Sequence, residues 1–409
     1  MVTRVLLVMG TRSYKAQAFL DAATRLGFTA VVGSDQVTWV AVANPQGMLA
    51  LDFVNVAATV LAARDFHQRY PLTAVLACDD DGLRAAAAIR EALGLAGSPL
   101  RAVELARDKR LMRAALAAAG VPSPWFEIWP AAADPRTIAP RLRYPCVLKP
   151  PTLSASRGVL RANSPAEFVA AFQRVVYVMR DAGLEGGDAE VLVEEYLPGD
   201  EIAVEGLLNR GELHVLAVFD KPDPLEGPSF EETIYVTPSR HTPEQLAAAG
   251  RVVAAMATAL GLSHGPVHAE VRLNAAGCWP LEIAPRSIGG LCSRALRFAG
   301  GHTLEELLLR HAVGEDVESW QRDPESRAVM MIPVPNSGIL HGVRGIEEAL
   351  ETPGVDEVRI TIPIGHPVLA PPEGHRYLGF LFAHGSAPED AESAVRKAHG
   401  QLRFDIHTE

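Results

Sequence analysis

The segment 267–286 constrains the fold more than any other part of the sequence. It consists of two apolar runs, VHAEVRL and CWPLEIAPR, joined by the short connection NAAG, and this pattern predicts an antiparallel hairpin. When Asn274 is placed opposite Cys278, Glu270 lies directly across from Glu282. Facing carboxylates repel one another, but a divalent cation held between them reverses that effect. The hairpin therefore predicts a Mg²⁺ or Mn²⁺ site, unless a shifted register turns both carboxylates toward solvent.

A strand that ends in a lysine is the second candidate element. The run CVLK ends at Lys149, and a loop of small residues follows from Pro150 to Gly158. Such a loop lets backbone N–H groups approach phosphate oxygens, and the ammonium adds a point charge. No lysine in the chain follows a glycine, which excludes a Walker A loop. From the pattern alone, a phosphate site and a plain surface turn both remain open.

The run EEYLPGDE, from Glu194 to Glu201, is the third candidate element. A strand that enters a hinge offers backbone hydrogen bonds to the edge of an adenine ring. Leu197 would pack on the face of that ring, and Glu201 would accept hydrogen bonds from ribose hydroxyls. An exposed acidic strand end is the alternative interpretation.

The first hundred residues alternate short apolar runs with alanine-rich helical stretches, a pattern typical of a parallel, doubly wound sheet. Ligands of such sheets bind at the carboxyl ends of the strands, where Asp79 and Asp80 follow the run LTAVLAC. A solvated loop or a helix cap explains the same aspartates. The residues after about position 325 predict a separate, small α+β unit.

Charge and cysteine spacing narrow the class of protein. The 49 acidic residues outnumber the 38 basic ones, and the net charge of −11 without a basic stripe disfavours nucleic acid and anionic membranes as partners. The four cysteines form no C-x-x-C motif, which suits a reducing cytoplasm. No apolar stretch reaches the roughly 18 residues of a membrane span. Lysine is scarce, and its positions are Lys15, Lys109, Lys149, Lys221 and Lys397.

Taken together, these motifs resemble the ATP-grasp superfamily and, within it, the L-amino-acid ligases that make dipeptides. The resemblance extends over essentially the whole chain. It implies an α/β and α+β architecture that begins with a Rossmann-like, pre-ATP-grasp domain over residues 1–105. The ATP-grasp fold would consist of a lid subdomain over 106–190 and a catalytic subdomain over 191–325, followed by a small C-terminal α+β domain over 326–409.

The resemblance also implies roles for individual residues. The implied ATP-binding positions are Lys109, Lys149, Ser156, Gly158, Glu194, Glu195, Leu197 and Glu201. Glu270 and Glu282 would ligate Mg²⁺ or Mn²⁺, and Lys149 and Arg286 would serve catalysis, Arg286 at the anionic intermediate. Many ATP-grasp enzymes have a metal-binding Asn where this chain has Ala284. The amino-acid ligases share a non-ligating residue there, so the departure favours that branch and leaves one metal ligand unassigned.

The implied substrate contacts are Asp80, His268, Gly289 and Gly290. The two glycines would leave room for a side chain near the acyl site. His268, one strand step from Glu270, would either contact the amine substrate or be a structural histidine. The passage from 219 to 233, which contains Lys221, is expected to line the same site.

The implied function is that of an ATP-dependent carboxylate–amine ligase. ATP would convert the carboxylate of one amino acid into an acyl phosphate, and the amine of a second amino acid would attack it, giving a dipeptide, ADP and phosphate. Two alternatives stay open: an ATP-grasp ligase for another carboxylate or amine, and a non-catalytic nucleotide-binding protein. Glu270, Glu282 and Arg286 favour an enzyme. Amino acids and ATP are the expected partners, and a homodimer is left open.

Overall fold

Strands and helices alternate from one end of the chain to the other. The computed structural model describes residues 2–11, 13–36, 44–184, 186, 189–317, 319–374 and 376–408. The strands are β1 (Arg4–Val8), β2 (Thr29–Ser34), β3 (Met48–Ala50), β4 (Ala74–Ala77), β5 (Phe126–Pro130), β6 (Cys146–Lys149), β7 (Leu160–Ala162), β8 (Glu190–Glu195), β9 (Asp200–Asn209), β10 (Glu212–Asp220), β11 (Ile234–Thr237), β12 (Gly265–Asn274), β13 (Gly277–Ala284), β14 (Arg297–Phe298), β15 (His302–Thr303), β16 (Ser326–Ile332), β17 (Gly338–Arg344), β18 (Val355–Ile360), β19 (Pro367–Val368), β20 (Gly379–Gly385) and β21 (Arg403–His407). The helices are α1 (Ala16–Arg25), α2 (Val56–Arg69), α3 (Leu83–Leu93), α4 (Leu100–Arg107), α5 (Lys109–Ala118), α6 (Pro135–Ile138), α7 (Pro165–Asp181), α8 (Pro243–Leu260), α9 (Leu304–Ala312), α10 (Ile346–Leu350) and α11 (Pro388–Gln401).

A parallel four-stranded sheet in the order β3-β2-β1-β4 forms the first domain. Its central strand is buried on both faces. Val5 and Leu7 pack in the cluster that contains residues of α1, while Leu6 and Val8 pack in the cluster that contains residues of α2. Such two-sided burial explains why β1 is a continuous apolar run instead of an alternating one. The predicted doubly wound, parallel sheet is confirmed.

A four-stranded antiparallel sheet in the order β5-β8-β6-β7 carries the lysine loop, and we call it the lid sheet. Helix α7 covers one face, with Phe168 and Phe172 fully buried. The helix begins at Ser164, whose side chain accepts a hydrogen bond from the N–H of Glu167. Strand β6 ends at Lys149, so this side chain stands at the rim of the sheet where the loop begins.

An eight-stranded antiparallel sheet in the order β13-β12-β9-β10-β11-β16-β20-β18 is the largest layer. Helices α4, α5 and α8 cover β9 and β12, and they bury Met112 and Leu116 of α5 in the shared core. Beyond the other end of this sheet, β17 pairs with β19 and β21, and α10 and α11 complete the C-terminal region.

The sheets do not follow the domain boundaries expected from the sequence. Strand β16 pairs with β11, so the large sheet continues into the residues after 325. Strand β8 extends the lid sheet to Glu195, past the expected boundary at 190. Helix α4 spans the expected boundary at 105. The physical reason is backbone pairing, because β11 would otherwise present an open edge.

The hairpin β12–β13 has a different register from the expected one but contains the same glutamate pair. Asn274 pairs with Gly277, one residue earlier than expected. A bulge restores the offset, because Leu281 is an extra residue on β13, and Glu270 then pairs with Glu282. The predicted carboxylate pair is confirmed, while the register at the hairpin's closed end was wrong by one residue.

The sequence predicted neither a membrane span nor a pair of closely spaced cysteines. None of the helices within the described ranges combines the length and hydropathy of a membrane span. All four cysteines are free thiols, and three of them are buried.

Candidate active site

A cavity of about 580 Å³ lies where the first domain, the lid sheet and the large sheet meet. Its wall contains every site residue expected from the sequence except Gly158, namely Asp80, Lys109, Lys149, Ser156, Glu194, Glu195, Leu197, Glu201, His268, Glu270, Glu282, Arg286, Gly289 and Gly290. The candidate elements, far apart in sequence, therefore share one site.

Strands β9 and β12 form the floor of the cavity with alternating charged side chains. Because successive side chains of a strand point to opposite faces, His268, Glu270 and Arg272 share the cavity face. On β9, Glu205 pairs with His268, and Glu201 accepts a hydrogen bond of 3.0 Å from Arg272 Nε. Glu270 thus lies between two cross-strand ion pairs.

His268 contacts a carboxylate through each ring nitrogen. Its Nδ1 pairs with Glu205, and its Nε2 lies 3.4 Å from Glu270 Oε1. Burial alone would lower the pKa of His268, but the two carboxylates raise it to about 9. The imidazole is therefore protonated at neutral pH and repels an ammonium substrate. The geometry favours the structural interpretation of His268 over the expected contact with the amine.

Lys221 is surrounded by three glutamates. Its Nζ lies 2.7 Å from Glu201 Oε1 and 2.9 Å from Glu270 Oε1, and it also pairs with Glu232. Burial would lower the pKa of Lys221, but the three carboxylates outweigh burial and raise it well above its ordinary value. Burial and the neighbouring Glu270 raise the pKa of Glu232 to about 7. Glu201, expected at the ribose, is therefore already bound by Lys221 and Arg272.

The expected metal ligands are each neutralised by lysine in this structure. Lys109 Nζ lies 3.2 Å from Glu282 Oε2, and Lys221 Nζ contacts Glu270. Carboxylate oxygens are the donors that Mg²⁺ prefers, so this pair fits a divalent cation. Oxygens of Glu201, Glu232 and Glu270 also lie within 4.8 Å of one another. Glu282 is not part of this three-carboxylate cluster.

Glu194 holds Lys149 in place. We call the two lysines expected to bind phosphate, Lys109 and Lys149, the phosphate wall. Oε1 of Glu194 pairs with Lys149, and its Oε2 accepts a hydrogen bond of 2.9 Å from Arg113 Nε. Burial would raise the pKa of Glu194, but the two cations hold it at about 2. Both carboxylate oxygens are engaged in this way, and the expected adenine contact of Glu194 stays a prediction. Leu197 and Glu195 do line the cavity, as expected for residues around a base.

Gly158 is the expected ATP-binding residue that the fold moves away from the cavity. It adopts a left-handed conformation with φ +73°, and its N–H donates a hydrogen bond of 2.9 Å to Pro372 O. The C-terminal region takes this donor, and the expected phosphate contact of Gly158 stays a prediction. Ser156 of the same loop remains in the cavity wall.

Arg286 forms a bidentate ion pair with Asp80. Both guanidinium–carboxylate distances are 2.8 Å, and Nη1 also donates to Ser287 O. Burial would raise the pKa of Asp80, but Arg286 lowers it to about 2. Asp80 was expected to contact substrate, and it instead fixes the guanidinium fork. Gly289, near this pair, has no atom within 4 Å of the position that a Cβ would occupy, so space is open there.

Sequence reasoning missed two buried cations. Arg113 of α5 is 0% exposed and donates to Pro280 O and Leu281 O at the hairpin bulge, at 3.1 and 2.9 Å. A charged residue beside the apolar stripe of a helix was the available signal. Lys15 is 4% exposed and lines the cavity from the first domain, and no local pattern distinguishes it.

Comparison with known protein families gives matches in three parts of the chain. Residues 142–295 match the ATP-grasp domain, residues 20–97 the ATP-grasp N-terminal domain, and residues 330–407 the L-amino acid ligase C-terminal domain 2.

Two curated relatives illustrate the extent of similarity. The protein y4rH of Sinorhizobium fredii is 24% identical over 98% of this chain and 83% of its own length. An alanine–anticapsin ligase of Bacillus amyloliquefaciens is 31% identical over 53% of this chain. The chain spans 49% of that ligase's length.

Solved structures resemble the whole chain. The L-amino acid ligase of Bacillus licheniformis has a TM-score of 0.81 with 23% identity, and all of both chains is covered. The N5-carboxyaminoimidazole ribonucleotide synthetase of Thermotoga maritima has a TM-score of 0.70 with 16% identity, covering 99% of this chain and all of the other. At such identities these structures establish a shared fold.

Proposed function

The chain belongs to the ATP-grasp superfamily, in the L-amino-acid ligase branch of its ATP-dependent, C–N bond-forming ligases, and from this premise we propose a specific reaction. The protein activates the carboxylate of one L-amino acid as an acyl phosphate. The amine of a second amino acid then displaces phosphate, and the products are a dipeptide, ADP and inorganic phosphate. ATP and Mg²⁺ are the proposed cofactors.

One observation carries the proposal. Lys109 Nζ contacts Glu282 Oε2 at 3.2 Å, which brings a proposed phosphate-binding lysine against a proposed metal ligand in the cavity that also contains Arg286. Phosphoryl transfer to a carboxylate needs cations around the transferring group and a fixed positive charge at the developing oxyanion. A protein that only binds nucleotide has no need of the second feature.

The binding roles follow from the charges. Lys109 and Lys149 would contact ATP phosphates, and Glu194 and Arg113 keep the Lys149 ammonium at the wall. Glu270 and Glu282, which pair across the hairpin, would hold Mg²⁺. When bound, the ion would offset the charge of the phosphate oxygens.

Arg286 would stabilise the oxyanion of the tetrahedral intermediate. Its donors are planar and permanently charged, and Asp80 fixes their direction through two hydrogen bonds. A preorganised donor of this kind costs no reorganisation when the negative charge develops.

A panel of amino-acid pairs tests the proposal. Purified protein with ATP and Mg²⁺ is assayed for phosphate release with all pairs of the common L-amino acids, and products are identified by mass spectrometry. Release that requires two amino acids and yields a dipeptide is the expected result. Release with one amino acid or with none indicates a ligase or ATPase for other substrates. Protein that binds ATP but releases phosphate with no pair contradicts the proposal.

Glu282→Gln tests the metal assignment within the same assay. The substitution removes the carboxylate charge but keeps the side-chain shape, so we expect phosphate release to fall at least about 100-fold, because a transition-state metal contact is lost. Glu212→Gln, on an exposed strand end, is the matched control. Undiminished turnover in Glu282→Gln with unchanged circular dichroism would rule out Glu282 as a metal ligand.

A further inference from the structure

Lys15 is a buried cation in the cavity wall with neutral hydrogen-bond partners. Its Nζ donates to Ser287 O at 3.0 Å and to Ser287 Oγ at 3.1 Å, across 272 residues of sequence. Within the described ranges no third acceptor and no carboxylate within 4 Å of Nζ is found. An ammonium has three N–H donors, so one remains for a group inside the cavity.

In this arrangement the charge of Lys15 destabilises the folded protein, which argues against a purely structural role. Burial, reinforced by the positive charge of Arg286, lowers the pKa of Lys15 to about 8. The weaker attractions of Cys78, Glu205 and Asp80 do not offset that effect. A buried charge without a counter-ion is normally neutralised or replaced. An anionic ligand that enters the cavity would provide the missing counter-ion.

The position of Lys15 indicates which anionic ligand would be its counter-ion. The phosphate wall lies at Lys109 and Lys149, which come from α5 and the lid sheet. Lys15 instead comes from the first domain and contacts Ser287, the residue after Arg286. In the proposed reaction the carboxylate of the acyl donor is consumed at Arg286. The α-carboxylate of the amine donor is the anion that stays intact.

We propose that Lys15 binds the α-carboxylate of the amine-donating amino acid and so restricts the second substrate to amines that carry a free carboxylate. The inference rests on the proposed function. The bound carboxylate would receive the third N–H of Lys15, while open space beside Gly289 accommodates a side chain. Amino amides and simple amines would lack the anion and would leave the ammonium without a counter-ion.

The first test compares a free amino acid with its carboxamide in the unmodified protein. For each productive pair in the panel above, the amine donor is supplied once as the acid and once as the α-amide. We expect a KM about 10- to 100-fold higher for the amide, the range of one lost charge-assisted hydrogen bond. Equal KM values for acid and amide would overturn the proposal without any variant.

Lys15→Met supplies the second test, with Lys15→Gln as an alternative that retains a donor. We expect either substitution to raise KM for the acid toward that of the amide, while KM and kcat for the amide change less than about twofold. Lys397→Met, at an exposed lysine of α11, is the control and should change neither. Equal losses with acid and amide would overturn carboxylate binding and point to a general effect on catalysis.

Failure of the proposed function is distinguishable from failure of this inference. If the unmodified protein releases no phosphate with any pair, the ligase proposal fails and this inference fails with it. The unmodified protein could make dipeptides while Lys15→Met shows the same ratio of KM values for acid and amide as the unmodified protein. In that case only the role of Lys15 fails. ADP affinity by calorimetry should be the same in Lys15→Met and Lys15→Gln as in the unmodified protein, because the proposal assigns Lys15 to the amine donor and not to the nucleotide.

Discussion

Two buried lysines differ in what surrounds them: Lys15 lies in the cavity wall, and Lys221 contacts three carboxylates of that wall. Lys221 lies among the carboxylates of Glu201, Glu232 and Glu270, and its pKa is raised well above the ordinary value. Among the described residues, Nζ of Lys15 donates to Ser287 alone, and burial lowers the pKa of Lys15 to about 8. Both residues are less than one-tenth exposed.

Lys221 therefore stabilises the folded protein, whereas Lys15 has a donor left for a ligand. Lys221 neutralises acids that would otherwise repel one another, so its charge favours folding. Lys15 loses hydration and gains no counter-ion, so its charge opposes folding. The same pattern holds at the phosphate wall, where Lys109 pairs with Glu282 and Lys149 with Glu194. Among these four lysines, only Lys15 lacks a carboxylate partner within the described residues.

Removing Lys221 should have the largest effect. Lys221→Met leaves three buried carboxylates without their shared cation, so the free energy of unfolding should fall by about 3–5 kcal/mol. Urea denaturation at pH 7 measures this change. Lys397→Met is the exposed control. A decrease below about 1 kcal/mol would contradict the supporting role of Lys221.

Asp80→Asn should have an intermediate effect, mainly on turnover. The amide cannot fix Arg286 with two charge-assisted bonds, so kcat/KM should fall about 10- to 100-fold, which corresponds to about 1.5–3 kcal/mol. Phosphate release with a productive amino-acid pair measures it. Asp65→Asn, at an exposed position of α2, is the control and should leave kcat/KM unchanged. Unchanged kinetics would show that Arg286 does not depend on Asp80.

The stability effect of Lys15→Met should be the smallest and opposite in sign. The drop in pKa from 10.5 to about 8, caused by burial and by the charge of Arg286, corresponds to a penalty of roughly 3 kcal/mol for the charged lysine. The two hydrogen bonds lost in the variant, about 1 kcal/mol each, are subtracted from it. The variant should therefore unfold with a free energy about 1 kcal/mol higher than the unmodified protein at pH 7.

The stability difference between Lys15→Met and the unmodified protein should also depend on pH. The folded-state pKa of Lys15 lies below the unfolded value, so the penalty is complete below about pH 8 and disappears as pH rises toward 10.5. The variant's advantage should shrink over this interval in urea titrations. An advantage that grows with pH, or a variant less stable at pH 7, would mean that Lys15 stabilises the fold.

Much of the local structure was predictable from the sequence. The run CVLK is strand β6 with the expected bounds, and the expected alanine-rich helical stretches include α3. The Glu270–Glu282 pair was predicted although the closed end of the hairpin was not, because the bulge at Leu281 compensates for the register. Period-two alternation is a local property, whereas a bulge depends on neighbours. Here Arg113 binds the carbonyl oxygens of residues 280 and 281.

The sequence by itself determined the elements, the family and the residue types that gather at the cavity, because hydrophobic periodicity and motif spacing are local. Only the tertiary structure decided how their charges are shared. Glu194 pairs with Lys149 and Arg113, and Gly158 donates to Pro372, partners that no motif indicated. Lys15 meets Ser287 across 272 residues. Electrostatic partners depend on distance in space and on burial, neither of which a linear pattern contains.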